Sequence, residues 1–207
     1  MSVHGDDRGI IFPPNVAPIQ IIIIPIVYKG TEDIVLKKVE RVFKQLKDKK
    51  FRVKVDYSEK SPGEKFYYWE MKGVPIRIEI GPRDVEKGVV VLVRRDTLEK
   101  ITVKDEEIEG KIRELFEEIK RELSSRSEKW LNENIFSAEK LEDAVKIYNE
   151  KKGIVKVPWC GDDECGQKIE EETGLEALGF DPEEKIDGIC SLCGRPAKHY
   201  MYLGKKY

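Results

Sequence analysis

A chain of 207 residues has room for one large domain or two small ones. Its 40% hydrophobic residues supply cores, its 38% charged residues imply a heavily solvated surface, and a formal net charge of −2 excludes attachment to nucleic acid through bulk positive charge. Charge precedes Ile10, no small-residue cleavage pattern follows, and the run Ile21 to Val27 contains Pro25 and is far below the roughly 20 residues of a membrane span; the expectation is a soluble, cytoplasmic protein with no membrane partner.

The chain opens with "HGDDRGIIFPP". Asp6 and Asp7 invite reading as an acid–base or metal pair. Adjacent side chains rarely point the same way, however, and no further carboxylate accompanies them at a fixed spacing, so a structural turn is expected. "IQIIIIPIVYKG" is a β-branched run apolar on both faces, which suits a central strand with a bulge or an end near Pro25. Thr31 is placed to cap a helix carrying Val35, Val39, Val42, Phe43 and Leu46 at helical spacing. "FRVKVDY" alternates as a strand with Phe51, Val53, Val55 and Tyr57 on one face, completing a βαβ unit. A loop and a short helix with Phe66, Trp69 and Glu70 follow. "VPIRIEIG" is a strand with Ile76, Ile78 and Ile80 opposite Arg77 and Glu79, and "VVVLVRRD" and "LEKITV" are two more.

From Asp105 the period changes to 3.6. Ile108, Ile112, Leu115, Phe116, Ile119 and Leu123 form one stripe of a long helix, with Glu109–Arg113 and Glu117–Arg121 pairs on its polar side. A second helix is expected over Ala138 to Glu150, and "IVKVPW" and "HYMYLG" are expected to pair as strands. The domain boundary is placed within the long helix.

The tail holds all four cysteines, Cys160 and Cys165 as C-x4-C and Cys190 and Cys193 as C-x2-C. In a chain of this kind paired spacing favours metal over disulfides. Gly166 and Gly194 follow the pairs directly, which suggests knuckles whose glycines take the positive φ that aims backbone amides at sulfur. Together the pairs would close an all-thiolate structural zinc site, with a helix ("DECGQKIEEETG") between them. Four unliganded reduced cysteines are the alternative. His199 is a possible substitute ligand, although a packed or surface histidine is the simpler reading.

No P-loop, G-x-G-x-x-G, G-x-S-x-G or H-E-x-x-H is present, and with histidine only at positions 4 and 199 no active site is legible. Arg77, Arg83, Asp84, Arg94 and Arg95 cluster around two strands beside Glu70. The default for such charges is a solvated sheet face. Their mixed signs argue against phosphate clamping and suit the reading of base edges.

Taken together, these segments resemble the prolyl-tRNA synthetases of the archaeal and eukaryotic type. The resemblance rests on "HGDDRGIIFPPNVAPIQIIIIPI", on "SPGEKFYYWEMKGVPIRIEIGPRD" with "VVVLVRRD", and on the four-cysteine tail ending in Tyr207, and it covers essentially the whole chain. It implies an α/β fold: a mixed-sheet class II anticodon-binding domain flanked by helices, then a long helix and a small α+β zinc-binding domain. The corresponding segments are 1–18 (end of a catalytic domain and linker), 19–105, 106–135 and 136–207. It further implies that Glu70, Arg77, Arg83 and Asp84, with Arg95 from the same face, read the anticodon of tRNA(Pro). Cys160, Cys165, Cys190 and Cys193 match its structural Zn2+ ligands. Tyr207 matches a terminal tyrosine whose carboxylate folds toward the catalytic domain.

The family's catalytic motifs would lie upstream of Met1, in a domain of the same polypeptide. The resemblance therefore implies a piece of a homodimeric enzyme that activates proline with ATP and Mg2+, and this piece alone should be inactive. A stand-alone tRNA-binding adaptor is the alternative from a different class. Threonyl, histidyl and glycyl enzymes share the anticodon-domain fold, but the cysteine tail and terminal tyrosine argue against them.

Overall fold

Every residue of β3 (Ile21–Pro25) is buried, as its unbroken β-branched run requires of a strand covered on both faces. The computed structural model describes residues 4–205. Within it the chain divides into two compact units, one running to Ser127 and the other starting at Glu128.

In the first unit β1 (Gly5–Asp6) and β2 (Gly9–Ile10) form a small antiparallel hairpin. β3 leads into α1 (Glu32–Asp48), then β4 (Val53–Val55), α2 (Pro62–Met71), β5 (Ile76–Ile80), α3 (Pro82–Lys87), β6 (Val89–Arg94) and β7 (Lys100–Lys104). The sheet order is β4-β3-β5-β6-β7, parallel across β4, β3 and β5 and antiparallel across β5, β6 and β7. It is the expected mixed sheet. β3 ends at Pro25, where the ladder loses a donor.

Alternation on β3 sends Ile21 and Ile23 into a core with Val35, Val39, Val42 and Leu46 of α1 and Ile112 and Leu115 of α4 (Ile108–Glu133). Ile22 and Ile24 face the other way, onto Trp69 and Val74. Ile22 pairs with Arg77 across the ladder, so the α2-covered side of the sheet carries charge as well as apolar surface.

Several local expectations are corrected. Thr31 precedes α1 without capping it, because its Oγ1 donates to the Tyr28 carbonyl at 2.8 Å. The strand read from "FRVKVDY" is confined to Val53–Val55, and Tyr57 is exposed. On α4 the Glu109–Arg113 pair forms, but Glu117 is taken by Lys120 at 2.9 Å rather than by Arg121.

The second unit orders its sheet β10-β11-β9-β8, from β8 (Ile135–Ser137), β9 (Ile154–Trp159), β10 (Glu176–Gly179) and β11 (His199–Gly204). β9 and β11 pair antiparallel as expected. β8 and β9 are parallel, joined through α5 (Leu141–Lys151). That helix starts later than expected because the Ala138 N–H still donates to Lys156 in the sheet. α6 (Asp163–Thr173) is the helix between the cysteine pairs. Cys160, Cys165 and Cys190 belong to the same buried cluster as Val155, Val157 and Leu203. Among the described residues no helix is long and apolar enough to cross a membrane.

Candidate functional site

Five side chains of alternating charge run through the α2 side of the first sheet. Arg8 donates to Glu70 at 2.7 Å, Arg77 donates to Glu70 at 2.7 Å and pairs with Glu79 at 2.9 Å, and Lys100 meets Glu79 at 3.0 Å. The three middle members are buried, whereas the side chains of Arg8 and Lys100 are 51% and 57% exposed. The Arg77 guanidinium also lies over the Phe66 ring, 4.2 Å from its centroid. A solvated sheet face, the default reading, is therefore corrected for Glu70, Arg77, Arg94 and Arg95, all buried, and kept for Arg83, which is exposed. The reason is that the long guanidinium of Arg77 finds two carboxylates at hydrogen-bond distance and needs no water.

Glu70 owes its place to the end of α2. Ser61 and Glu64 form a reciprocal capping box that starts the helix, and Pro62 occupies its first turn. Eight residues later the chain delivers Trp69 to the core and Glu70 beside β5. Burial alone would raise the Glu70 pKa, but hydrogen bonds from Arg77 and Arg8 more than offset it and hold the carboxyl below its ordinary value.

Arg95 is the most buried of the predicted anticodon-site residues, and it faces the opening hairpin. Its two terminal nitrogens each donate to Asp6 at 2.7 Å, while Nε donates to the Glu70 carbonyl at 2.7 Å. These bonds hold the Asp6 carboxyl down at about 2. Asp6 thus serves a structural turn, as expected. Two glycines let the hairpin come this close. Gly9 has φ +121° and a Cβ there would lie 2.9 Å from the Met71 carbonyl oxygen; at Gly73, φ +70°, a Cβ would lie 2.6 Å from that of Ile10.

Arg83 and Asp84 are brought to the other end of β5, at the start of α3. Asp84 accepts from the Gly81 N–H at 2.7 Å and so fixes the turn. Arg83 is exposed and has no ion pair among the described residues. The structure therefore unites Glu70, Arg77 and Arg95 and leaves Arg83 and Asp84 apart. Sequence reasoning missed Arg8 and Asp6 as partners of that cluster; their only signal was their charge opposite in sign to Glu70 and Arg95.

In the second unit the four sulfurs lie within 4.8 Å of one another. Cys165 and Cys190 are 3.6 Å apart and Cys160 and Cys193 3.7 Å apart. A tetrahedron with metal–sulfur bonds of about 2.3 Å has edges of about 3.8 Å. The donor set thus fits a four-thiolate zinc site. Burial and the neighbouring thiols push Cys165 up, whereas hydrogen bonds from Arg195 pull Cys193 down to about 6.

One glycine expectation is corrected. Gly194 takes φ +72°, but Gly166 is helical, and the left-handed residue of the first pair is Gly161 at φ +83°. A Cβ at Gly166 would lie 3.0 Å from the Met201 methyl, the far end of a flexible side chain, and 3.6 Å from the Trp159 ring. His199 is not part of the four-thiol cluster; its ring packs on Phe180, 4.3 Å between centroids. Tyr207 lies outside the described residues.

Comparison with known proteins assigns both regions. A family model described as an anticodon binding domain matches residues 20–115, and one described as the C-terminal domain of prolyl-tRNA synthetase matches residues 141–207. The first contains Glu70, Arg77, Arg83, Asp84 and Arg95, the second all four cysteines. The chain is 48% identical to the proline–tRNA ligase of Pyrococcus abyssi, 46% to that of Pyrococcus horikoshii and 42% to that of Thermococcus kodakarensis. Each alignment covers 100% of this chain and 44% of the relative, so the chain spans less than half the length of these curated relatives.

Proposed function

We propose that this chain, which belongs to the prolyl-tRNA synthetase family through its anticodon-binding and C-terminal domains, recognises the anticodon of tRNA(Pro) with the α2–β5 face of its first unit. The observation carrying this reading is the Glu70–Arg77 pair. One side chain offers a carboxylate to base amino groups and the other a guanidinium to guanine O6 and N7, and each is held rigid by the other at 2.7 Å. Rigid donors and acceptors cost little entropy when a base arrives. Arg8 and Lys100 are the solvent-facing ends of the same chain of charges and supply positive charge for the adjoining phosphates. Arg83, exposed at the far end of β5, adds a second basic contact, and Asp84 orients it by fixing the turn. Arg95 acts through Asp6 and the Glu70 carbonyl, as a positioning residue.

In the whole enzyme this region would work beside a catalytic domain of the same polypeptide. That domain would activate proline with ATP and Mg2+ and charge tRNA(Pro), in a homodimer in the cytoplasm. The reading rests on the relatives' names and on their length, of which this chain covers 44%. Cys160, Cys165, Cys190 and Cys193 would hold a structural Zn2+, which supplies cross-linking of the two knuckles and no open coordination position.

Filter binding with tRNA(Pro) and with an anticodon-swapped transcript tests the reading. Arg77→Ala should weaken binding to the native tRNA by about 1–3 kcal/mol and leave the swapped one unchanged. Equal binding of both transcripts by the unsubstituted chain would overturn it.

A further inference from the structure

The knuckles of the thiol cluster are tied together by a pair of residues that are not themselves metal ligands. Asp162 precedes α6, and its Oδ1 accepts from the Cys165 N–H at 3.2 Å. Its Oδ2 meets Arg195 at 3.2 Å. From there the Arg195 guanidinium reaches both other sides of the cluster, with Nε donating to Cys193 Sγ at 3.2 Å and Nη2 to Cys160 Sγ at 3.4 Å. The Arg195 carbonyl in turn accepts from the Cys190 N–H at 2.8 Å. Asp162 and Arg195 between them touch all four cysteines.

An exposed aspartate–arginine pair adds little stability on its own account, so its value must lie in what it does to the sulfurs. Four thiolates around one divalent ion leave a charge of about −2 on the cluster. A guanidinium against two of the sulfurs screens that charge, and its planar fork matches a two-point contact that a lysine ammonium cannot reproduce. Three of the cysteines are buried and Cys193 is exposed. Arg195 covers that sulfur, the one an alkylating agent or oxidant meets first.

We propose that Asp162 and Arg195 form an ionic clasp that controls how fast the metal is lost, with Arg195 shielding Cys193 and Cys160 and Asp162 tying Arg195 to the start of α6. This rests on the reading of the four thiols as zinc ligands. The test uses the full chain loaded with zinc and measures three quantities: metal per chain, zinc release to a chromophoric chelator in the presence of N-ethylmaleimide, and the order of cysteine modification by mass spectrometry. Arg195→Ala should release zinc at least about tenfold faster, in the range expected for loss of an outer-shell partner, and Cys193 should be modified first. Arg195→Lys should recover only part of the protection, and Asp162→Asn should show a smaller acceleration.

A zinc-loaded Arg195→Ala chain that releases metal at the unsubstituted rate overturns the clasp. So does simultaneous modification of all four cysteines in that variant, which would mark a merely structural residue. An unsubstituted chain that takes up no zinc overturns the metal reading itself. Should Arg195→Ala fail to fold, Arg195→Lys and Asp162→Asn carry the comparison, and unsubstituted release rates in both overturn the proposal.

Discussion

The first unit buries three charged side chains in the middle of a five-member row, Arg8–Glu70–Arg77–Glu79–Lys100, and every carboxylate there touches two cations. The second unit brings four thiols within 4.8 Å of one another with Arg195 as the cation at their rim. The contrast teaches what each region needs in order to fold. Alternating charges satisfy one another, so the sheet face is complete as a protein structure without a further ion. Four converging thiols have no such mutual satisfaction, and as the thiolates of the proposed zinc site they would repel one another without a cation.

On the proposed reading of the four thiols as zinc ligands, removing the metal breaks the comparison most strongly. Zinc in small thiolate sites contributes on the order of 10 kcal/mol to folding, so a strong chelator should release protection from hydrogen exchange across β9 and β11 while leaving β3 and β5 protected. Loss of protection in both units together would show that they do not fold separately. Next in size is Glu70→Ala, which strands the buried Arg77 beside Glu79 alone. Breaking a buried pair costs about 3–5 kcal/mol, read as a lower urea midpoint for the first unit; a change below about 1 kcal/mol would mean that Arg77 finds water instead.

Gly9→Ala comes third. The added methyl meets the Met71 carbonyl oxygen at 2.9 Å and the backbone sits at φ +121°, so docking of the hairpin should weaken by about 1–3 kcal/mol. The Phe12 N–H, which donates to Gly73, should then exchange faster than the amides of β5.

The smallest effect concerns acid. Asp6 falls from an ordinary 3.8 to about 2 because Arg95 donates to it. A depressed carboxyl pKa adds stability that is fully present above pH 3.8 and lost as pH falls through about 2. A carboxyl NMR titration of Asp6 should show that midpoint, and Asp6→Asn should remove this part of the acid sensitivity. A midpoint near 3.8 would mean that the Arg95 contact is not kept in solution.

Element types were largely legible before any coordinates. The isoleucine run of β3, the 3.6-residue stripe from Ile108 to Leu123 and the pairing of "IVKVPW" with "HYMYLG" follow from periodicity, because burial acts residue by residue along one chain. The clustering of the four cysteines was legible from their spacing, yet the choice between Gly161 and Gly166 was not. Both glycines stand next to a cysteine, and only the turn after Cys160 shows which one is left-handed.

By itself, then, the amino-acid sequence determined most strands and helices, the four-thiol set and the resemblance to the prolyl-tRNA synthetases. It also marked Glu70, Arg77 and Arg95 as charges worth explaining. Only the tertiary structure decided what those charges touch. Arg8 reaches Glu70 across 62 positions of sequence and Arg95 reaches Asp6 across 89. Hydrophobic periodicity is written locally, whereas an ion pair depends on which distant segments the packed sheet and the two close-contact glycines bring within 3 Å.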